Sequence, residues 1–409
     1  MSAETATVRA VPAAQNEAIP WRAALAGLCA SLVGIGFARF GYMQLIPALI
    51  SHQWFTASDA AYLGAANLAG YLAGAILATR MAARIPARDV LRTMMALAAV
   101  SFFACAVQLP FAWFFVWRFA AGFAGGALMV LAAPSILPHV PVARRGVVSG
   151  AIFMGVGVGI VISALLAPLL LRAGMVEAWC GLGVATLALT TVSWNGWPRQ
   201  DAEVVALASG RVSTSVPLKA LYVQYALSAV GLVPHMMFLV DFVARGLGRG
   251  VDVGAQYLVL FGLGATVGPI IGGHIADRIG FRATLLATFV LQAVAVALLA
   301  VSDHWTALLV SSVAVGATTP GVVPLALGRV RELVPGDTQG QQAAWSIATI
   351  TFSTGQAAGA YGFAFLLGSE GSYALLFALG AVPFVLALAI DLGVQRSARD
   401  PRRFAPLPR

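Results

Sequence analysis

Apolar residues dominate this chain in long blocks. Twelve stretches stand out, at residues 22–48, 58–81, 89–109, 111–138, 146–170, 176–196, 218–243, 252–276, 283–301, 306–327, 341–367 and 372–393. A helix of about 20 apolar residues crosses a hydrocarbon layer roughly 30 Å thick, and each block has about that length. Polar links separate the blocks, and they are short between the third and fourth and between the fifth and sixth. One longer polar stretch, 198–217, divides six blocks from six. The pattern predicts an all-α integral membrane protein with twelve transmembrane helices in two pseudo-symmetric six-helix bundles. Residues 1–20 form an N-terminal tail, 21–197 the first bundle, 198–217 a linker, 218–395 the second bundle and 396–409 a C-terminal tail.

Composition sharpens this. Of 409 residues, 60% are hydrophobic and 10% charged, where a soluble domain carries about 25% charged residues. The net charge of +9 would suggest a nucleic-acid partner in a soluble protein, but the placement of the charges excludes it. Of 25 lysine and arginine residues, 20 fall in the tails and alternate links on one side. Only Arg172, Arg245 and Arg249 fall on the other, and Arg39 and Arg118 lie inside apolar blocks. The positive-inside rule puts the rich side, with both termini, in the cytoplasm. The expected partner of the surface is therefore the lipid bilayer. The first 20 residues lack an apolar core with a cleavage site, so no signal peptide is expected. Cys29, Cys105 and Cys180 sit in apolar blocks without metal-ligand spacing. No Walker loop, paired carboxylates, metal cluster or serine triad appears. No cofactor or metal is expected, and no enzyme activity.

The two halves repeat. A shift of 194 lays Ala82, Arg84, Ile85 and Arg88 on Ala276, Arg278, Ile279 and Arg282, Gly70 and Gly74 on Gly264 and Gly268, and Gly122 on Gly316. A shift of 195 lays Tyr62 on Tyr257 and Gly36 on Gly231. Parallel repeats of six helices are one of the known plans for transporters.

The segment Gly273-His274-Ile275-Ala276-Asp277-Arg278-Ile279-Gly280-Phe281-Arg282 resembles the loop signature of the major facilitator superfamily. Its glycines permit close helix approach and a backbone turn. Its aspartate can accept from a helix N-terminus or pair with arginine. The first-half copy departs from the signature, with Ala83 and Pro86 where the aspartate and second glycine would stand. Gly34-Ile35-Gly36-Phe37-Ala38-Arg39-Phe40-Gly41-Tyr42, Leu45-Ile46-Pro47 and Gly231-Leu232-Val233-Pro234-His235 are similar to the YbfB/YjiJ-type branch. The resemblance implies a secondary active transporter of the bacterial inner membrane, working by alternating access as a monomer. In that reading Gly273, Asp277, Arg278, Gly280 and Arg282 form a conformational gate, with Asp277 reaching the start of helix 5 near Gly146–Ser149 or meeting Arg329 and Arg331.

Candidate chemistry rests on the few charges inside the membrane, which are costly there and mark function or a partner. Arg39 is expected to anchor an anionic substrate through its guanidinium fork. Its bland alternative is a structural arginine. His235, beside the repeat position of Arg39, is a candidate for substrate binding and proton coupling. Asp241 is a second candidate for the proton, with an ion pair to Arg245 as the structural alternative. Arg118 opens a run, Arg118-Phe-Ala-Ala-Gly122, that resembles a helix-4 motif associated with proton-coupled members. Asn67, Gln256 and Gln356 are polar residues within helices that either bind substrate or tie helices together. Tyr42, Tyr62, Tyr71 and Tyr361 read first as packing or interfacial rings. Together these point to a small organic anion moved with protons. The alternatives are efflux of drugs or amphipathic cations, with Asp241 binding the cation, and a membrane sensor that transports nothing.

Overall fold

The computed structural model describes residues 21–141, 145–198 and 215–399, and among these every regular element is helical. Twelve helices carry the fold: helix 1 (Trp21–Ser51), helix 2 (Ala57–Ala82), helix 3 (Ala87–Ala104), helix 4 (Phe111–Ile136), helix 5 (Arg145–Leu171), helix 6 (Met175–Ser193), helix 7 (Val216–Gly246), helix 8 (Val251–Ile279), helix 9 (Phe281–Val301), helix 10 (Trp305–Leu333), helix 11 (Thr338–Glu370) and helix 12 (Tyr373–Arg399). Ten of them are long and apolar enough to cross a membrane by themselves. The other two are helix 3, with Arg88, Asp89 and Arg92 among its 18 residues, and helix 11, rich in Thr, Ser, Gln and Gly. The tail 1–20, most of the linker and residues 400–409 lie outside the described residues.

Local chemistry sets the ends. Thr56 caps helix 2 in a reciprocal box with Asp59, and the Asp337 side chain accepts from the backbone of Gly340 at the start of helix 11. Gly280, at φ +86°, is the single residue between helices 8 and 9. That left-handed backbone is why glycine stands there.

The repeat seen in the sequence is a packing repeat. Helices 2 and 4 cross so closely that a Cβ on Gly70 or Gly122 would lie 2.0 Å or 1.8 Å from the carbonyl oxygens of Phe119 and Asn67. Helices 8 and 10 cross in the same way, with Gly264 and Gly316 against Val313 and Phe261 at 2.5 Å and 2.1 Å. Small residues at such crossings let backbones touch and gain dispersion contact that larger side chains would block.

Between the halves, Phe40 meets Phe261 with ring centroids 5.6 Å apart, and Tyr62 meets Tyr361 at 6.2 Å. Gly64 lies against Met237, Gly157 against Thr266 and Ser58 against Gly368. These contacts occupy the middle of the helices and the end away from the termini. Further along helix 8, toward the termini, among the described residues Gly272 has a neighbour only from its own half, Leu325, and Gly273 has none within 4 Å. Among the described residues the halves are thus joined at one end and parted at the other. The open end is the one at which helix 1 begins and helix 12 ends.

Candidate functional site

Helix 1 is not a plain α-helix. From Leu32 to Gly41 it winds as a π-helix, a departure that the apolar pattern did not signal. A π stretch shifts the register of side chains and alters which carbonyls are satisfied within the helix. Here the Ala38 carbonyl accepts two side chains, Asn67 Nδ2 at 3.2 Å and Arg118 Nη2. Asn67 Nδ2 also donates to the Arg118 carbonyl at 3.2 Å. Asn67 therefore ties helices 1, 2 and 4 together. Glycines allow this crowding: a Cβ on Gly36 would meet the Gly159 backbone at 2.5 Å.

The two arginines are both buried and each lies over a tyrosine ring. Arg39 sits 4.4 Å from the centre of the Tyr71 ring, and Arg118 4.4 Å from that of Tyr42. In a desolvated site such a stack stabilises the cation by about 2 kcal/mol. Neither has a carboxylate partner among the described residues. Their remaining nitrogens differ in a way that matters. Arg39 Nη1 donates to Gln356 Oε1 at 3.1 Å, and Nε and Nη2 have no partner among the described residues. Nε and Nη2 form one edge of the guanidinium, the edge that grips a carboxylate with two parallel hydrogen bonds. Arg118 spends Nη2 on Ala38, which leaves Nε and Nη1, two nitrogens that share no such edge. Gln356, from helix 11, completes its own bonding with Nε2 toward Met236 Sδ at 3.4 Å.

Asp241 is buried in helix 7 and receives three hydrogen bonds. Arg245 Nη1 donates at 3.1 Å and 3.3 Å, and the Tyr373 hydroxyl donates from helix 12. The i,i+4 ion pair read from the sequence is present, with Arg245 about one-third exposed and the Asp241 side chain 1% exposed. Tyr373 was not a candidate from sequence, because an aromatic residue at a helix start carries no signal of its partner.

His235 is on a different face of helix 7. Its Nε2 lies 2.7 Å from Ser311 Oγ, and Ser311 donates onward to the Ala295 carbonyl at 2.6 Å. With that hydroxyl proton committed, Nε2 is the donor to Ser311. The ring meets the edge of Phe377 at 5.1 Å. His235 thus addresses helices 9, 10 and 12 of its own half. One turn earlier Gly231 packs against Phe384 and Gly380, which sets this face inward to the bundle. The repeat shift placed His235 opposite Arg39; the structure does not bring them together. Gln256 lies exposed on helix 8 and is not part of this group either. Gln44, which the sequence reading passed over, is fully buried in helix 1, and neither polar side-chain atom has a partner among the described residues.

The loop expected from its sequence to be a gate is held at its second end. Arg282 pairs with Asp391 of helix 12 through Nε at 3.2 Å and through Nη2. The Phe281 amide donates to Glu332 at 3.2 Å, and Arg329 pairs with the same Glu332 at 2.8 Å. Asp277 and Arg278 are exposed, and among the described residues Asp277 has no hydrogen-bond or ion-pair partner. Arg329 is thus occupied elsewhere. For residues 145–147, at the start of helix 5, only the backbone is described, and residues 142–144 lie outside the described residues. A cavity of about 220 Å³ beside this network is lined by Gln224, Arg282, Arg329, Asp391 and Gln395, all from the second half. It lies off the boundary between the halves where Arg39 stands.

No protein of curated function matches the chain in sequence. Among solved structures, the fold is similar to that of the xylose transporter XylE from E. coli in a partially occluded inward-open conformation, with a TM-score of 0.71 over 92% of this chain and 99% of that one, at 14% identity. The family described as "Uncharacterised MFS-type transporter YbfB" matches residues 31–392. With nearly the whole membrane domain covered, the chain belongs to this family of the major facilitator superfamily and is a multi-pass membrane protein of transporter type.

Proposed function

We propose that the chain is a secondary active transporter that carries a small organic anion together with protons across the bacterial inner membrane, with both termini cytoplasmic. One observation supports the anion above all: Arg39 is buried at the boundary of the halves and keeps the Nε/Nη2 edge of its fork unpartnered. A cation has nothing comparable at that place, since Asp241 already receives Arg245 and Tyr373. Burial strengthens such a fork, because a charge pair in a low-dielectric site is screened little.

Alternating access gives the site its two exposures. Arg39 belongs to the first half and Gln356 to the second, so separation of the halves at the closed end would break their bond. Asp241 is the proton-linked group in this reading. Its partners Arg245 and Tyr373 belong to the same half, so a change at this carboxylate is felt within the second bundle that also carries Gln356. Arg118 and Asn67 hold the π stretch and so position Arg39, while Asp277 latches the termini-bearing side when that side closes.

The test is uptake of labelled carboxylates into proteoliposomes with an inward proton gradient. Wild type should accumulate at least one carboxylate, and Arg39→Ala should abolish its binding. Equal carboxylate binding by wild type and Arg39→Ala would remove the anchor.

A further inference from the structure

The surroundings of Arg39 narrow the class of anion. Helix 11 carries Trp345, Phe352 and Gln356 at helical spacings of seven and four, which puts them in one stripe. Gln356 holds Arg39 at the head of that stripe. Phe352 lies one turn toward the termini, and its ring meets that of Tyr225 on helix 7 at a centroid distance of 4.5 Å. Tyr225 also meets Trp345 at 6.1 Å. Tyr71, the ring beneath the Arg39 guanidinium, packs against the same apolar cluster from the first half. Four aromatic rings therefore continue from the anchor toward the end where the halves part. Three of them, Tyr71, Trp345 and Phe352, are only half-buried, unlike the rings of the bundle core such as Phe261, Phe289 and Phe384. The partial exposure of these three leaves part of each ring uncovered by protein.

We propose that the transported anion is an aromatic monocarboxylate, its carboxylate on the Nε/Nη2 edge of Arg39 and its ring among Tyr71, Phe352, Tyr225 and Trp345. This rests on the reading of Arg39 as the anchor. Aromatic faces stack offset or edge-on with a planar apolar body. A single carboxylate follows from the single free edge. Arg118 is the other buried arginine, and it is turned to Tyr42 and the Ala38 carbonyl, so a second carboxylate finds no matching fork. The body is apolar because it would meet ring faces, which gain from contact with a planar apolar group.

The experiment is thermal unfolding and competition binding on the purified full chain, with benzoate and phenylacetate against acetate and propionate, and against uncharged benzamide and cationic benzylammonium. Benzoate or phenylacetate should raise the unfolding temperature and bind at least about tenfold more tightly than the aliphatic acids and the two uncharged or cationic analogues. Phe352→Ala should cut aromatic binding about tenfold and bring it near that of acetate, and Phe352→Leu should restore part of it. The unliganded unfolding temperature of each variant shows that it has folded. Aliphatic acids binding as tightly as benzoate would overturn the aromatic assignment and leave the Arg39 anchor standing. Aromatic binding unmoved in both Phe352 variants would do the same. Benzoate binding unchanged in Arg39→Ala, or benzylammonium preferred to benzoate, would overturn both. Absence of a response to any aromatic carboxylate would also overturn the assignment.

Discussion

Arg39 Nη1 donates to Gln356 Oε1 at 3.1 Å across the boundary between the halves, joining residues 317 positions apart in the chain. It is a buried hydrogen bond to a charged group, a kind worth about 1.5–3 kcal/mol. It exists only while the halves meet at this end. Gln356→Leu should therefore shift the equilibrium toward the opposite conformation by roughly tenfold. Spin labels at Gln53 and Ser369, at the closed end of helices 1 and 11, should show a growing population of long distances. A distance distribution identical to wild type would mean that the bond does not hold the halves together.

A second bond between the halves makes a useful contrast. Arg172 and Asp252 pair at 3.4 Å, but both side chains are about two-thirds exposed. Such pairs contribute under about 1 kcal/mol. Arg172→Gln is expected to change transport less than twofold, at low and high salt alike. A larger loss would show that this pair has a role in closure that its exposure does not predict.

Much of this architecture was readable from the chain. Twelve apolar blocks became twelve helices because a helix satisfies its own backbone hydrogen bonds where the bilayer offers no water. The glycines aligned by the shift became matched helix crossings because only a residue without Cβ fits at those contacts. The Asp241–Arg245 pair followed from i,i+4 spacing. The site itself was half legible. Arg39 and Arg118 stood out because charges inside a membrane are rare, but the tyrosines beneath them gave no sign of that role, and Gln356 could be assigned as the partner only once helix 11 was placed. The π stretch of helix 1 has no sequence signature stronger than its glycines, yet it places the Ala38 carbonyl between Asn67 and Arg118. His235 fell on the other face of helix 7 because a repeat shift fixes position along a helix better than rotation about it.

The glycine crossings predict unequal effects of one substitution. Gly122→Ala would push a methyl group to within 1.8 Å of the Asn67 carbonyl oxygen, forcing helices 2 and 4 apart and disturbing the bonds Asn67 makes to helices 1 and 4. Overpacking of this kind costs about 1–3 kcal/mol. The variant should unfold at a clearly lower temperature and yield less folded protein. An unfolding temperature equal to wild type would show that the crossing can relax.

Gly273→Ala should behave in the opposite way. Among the described residues nothing lies within 4 Å of the added methyl group, so stability in this conformation should be unchanged. If helix 8 must approach helix 5 when this end closes, the methyl group will obstruct that state. Transport should then slow several-fold with no loss of thermal stability. Asp277→Asn should also slow the cycle without weakening substrate binding, because it removes a latch and not a ligand. Wild-type rates in both variants would remove the loop from the cycle.

The proton-linked role of Asp241 is testable apart from binding. Asp241→Asn keeps the shape and a hydrogen-bond acceptor for Tyr373 and Arg245, but it can neither gain nor lose a proton. In the scheme above an inward proton gradient drives wild-type accumulation, so uptake should rise as the outside is made more acid than the inside. The variant should lose that gradient-driven accumulation and still exchange labelled for unlabelled substrate at equal pH on both sides, since exchange needs the anchor and the rocking motion but no net proton movement. Loss of exchange as well would place Asp241 in the structure of the site. Accumulation that still follows the gradient would move the proton to another group.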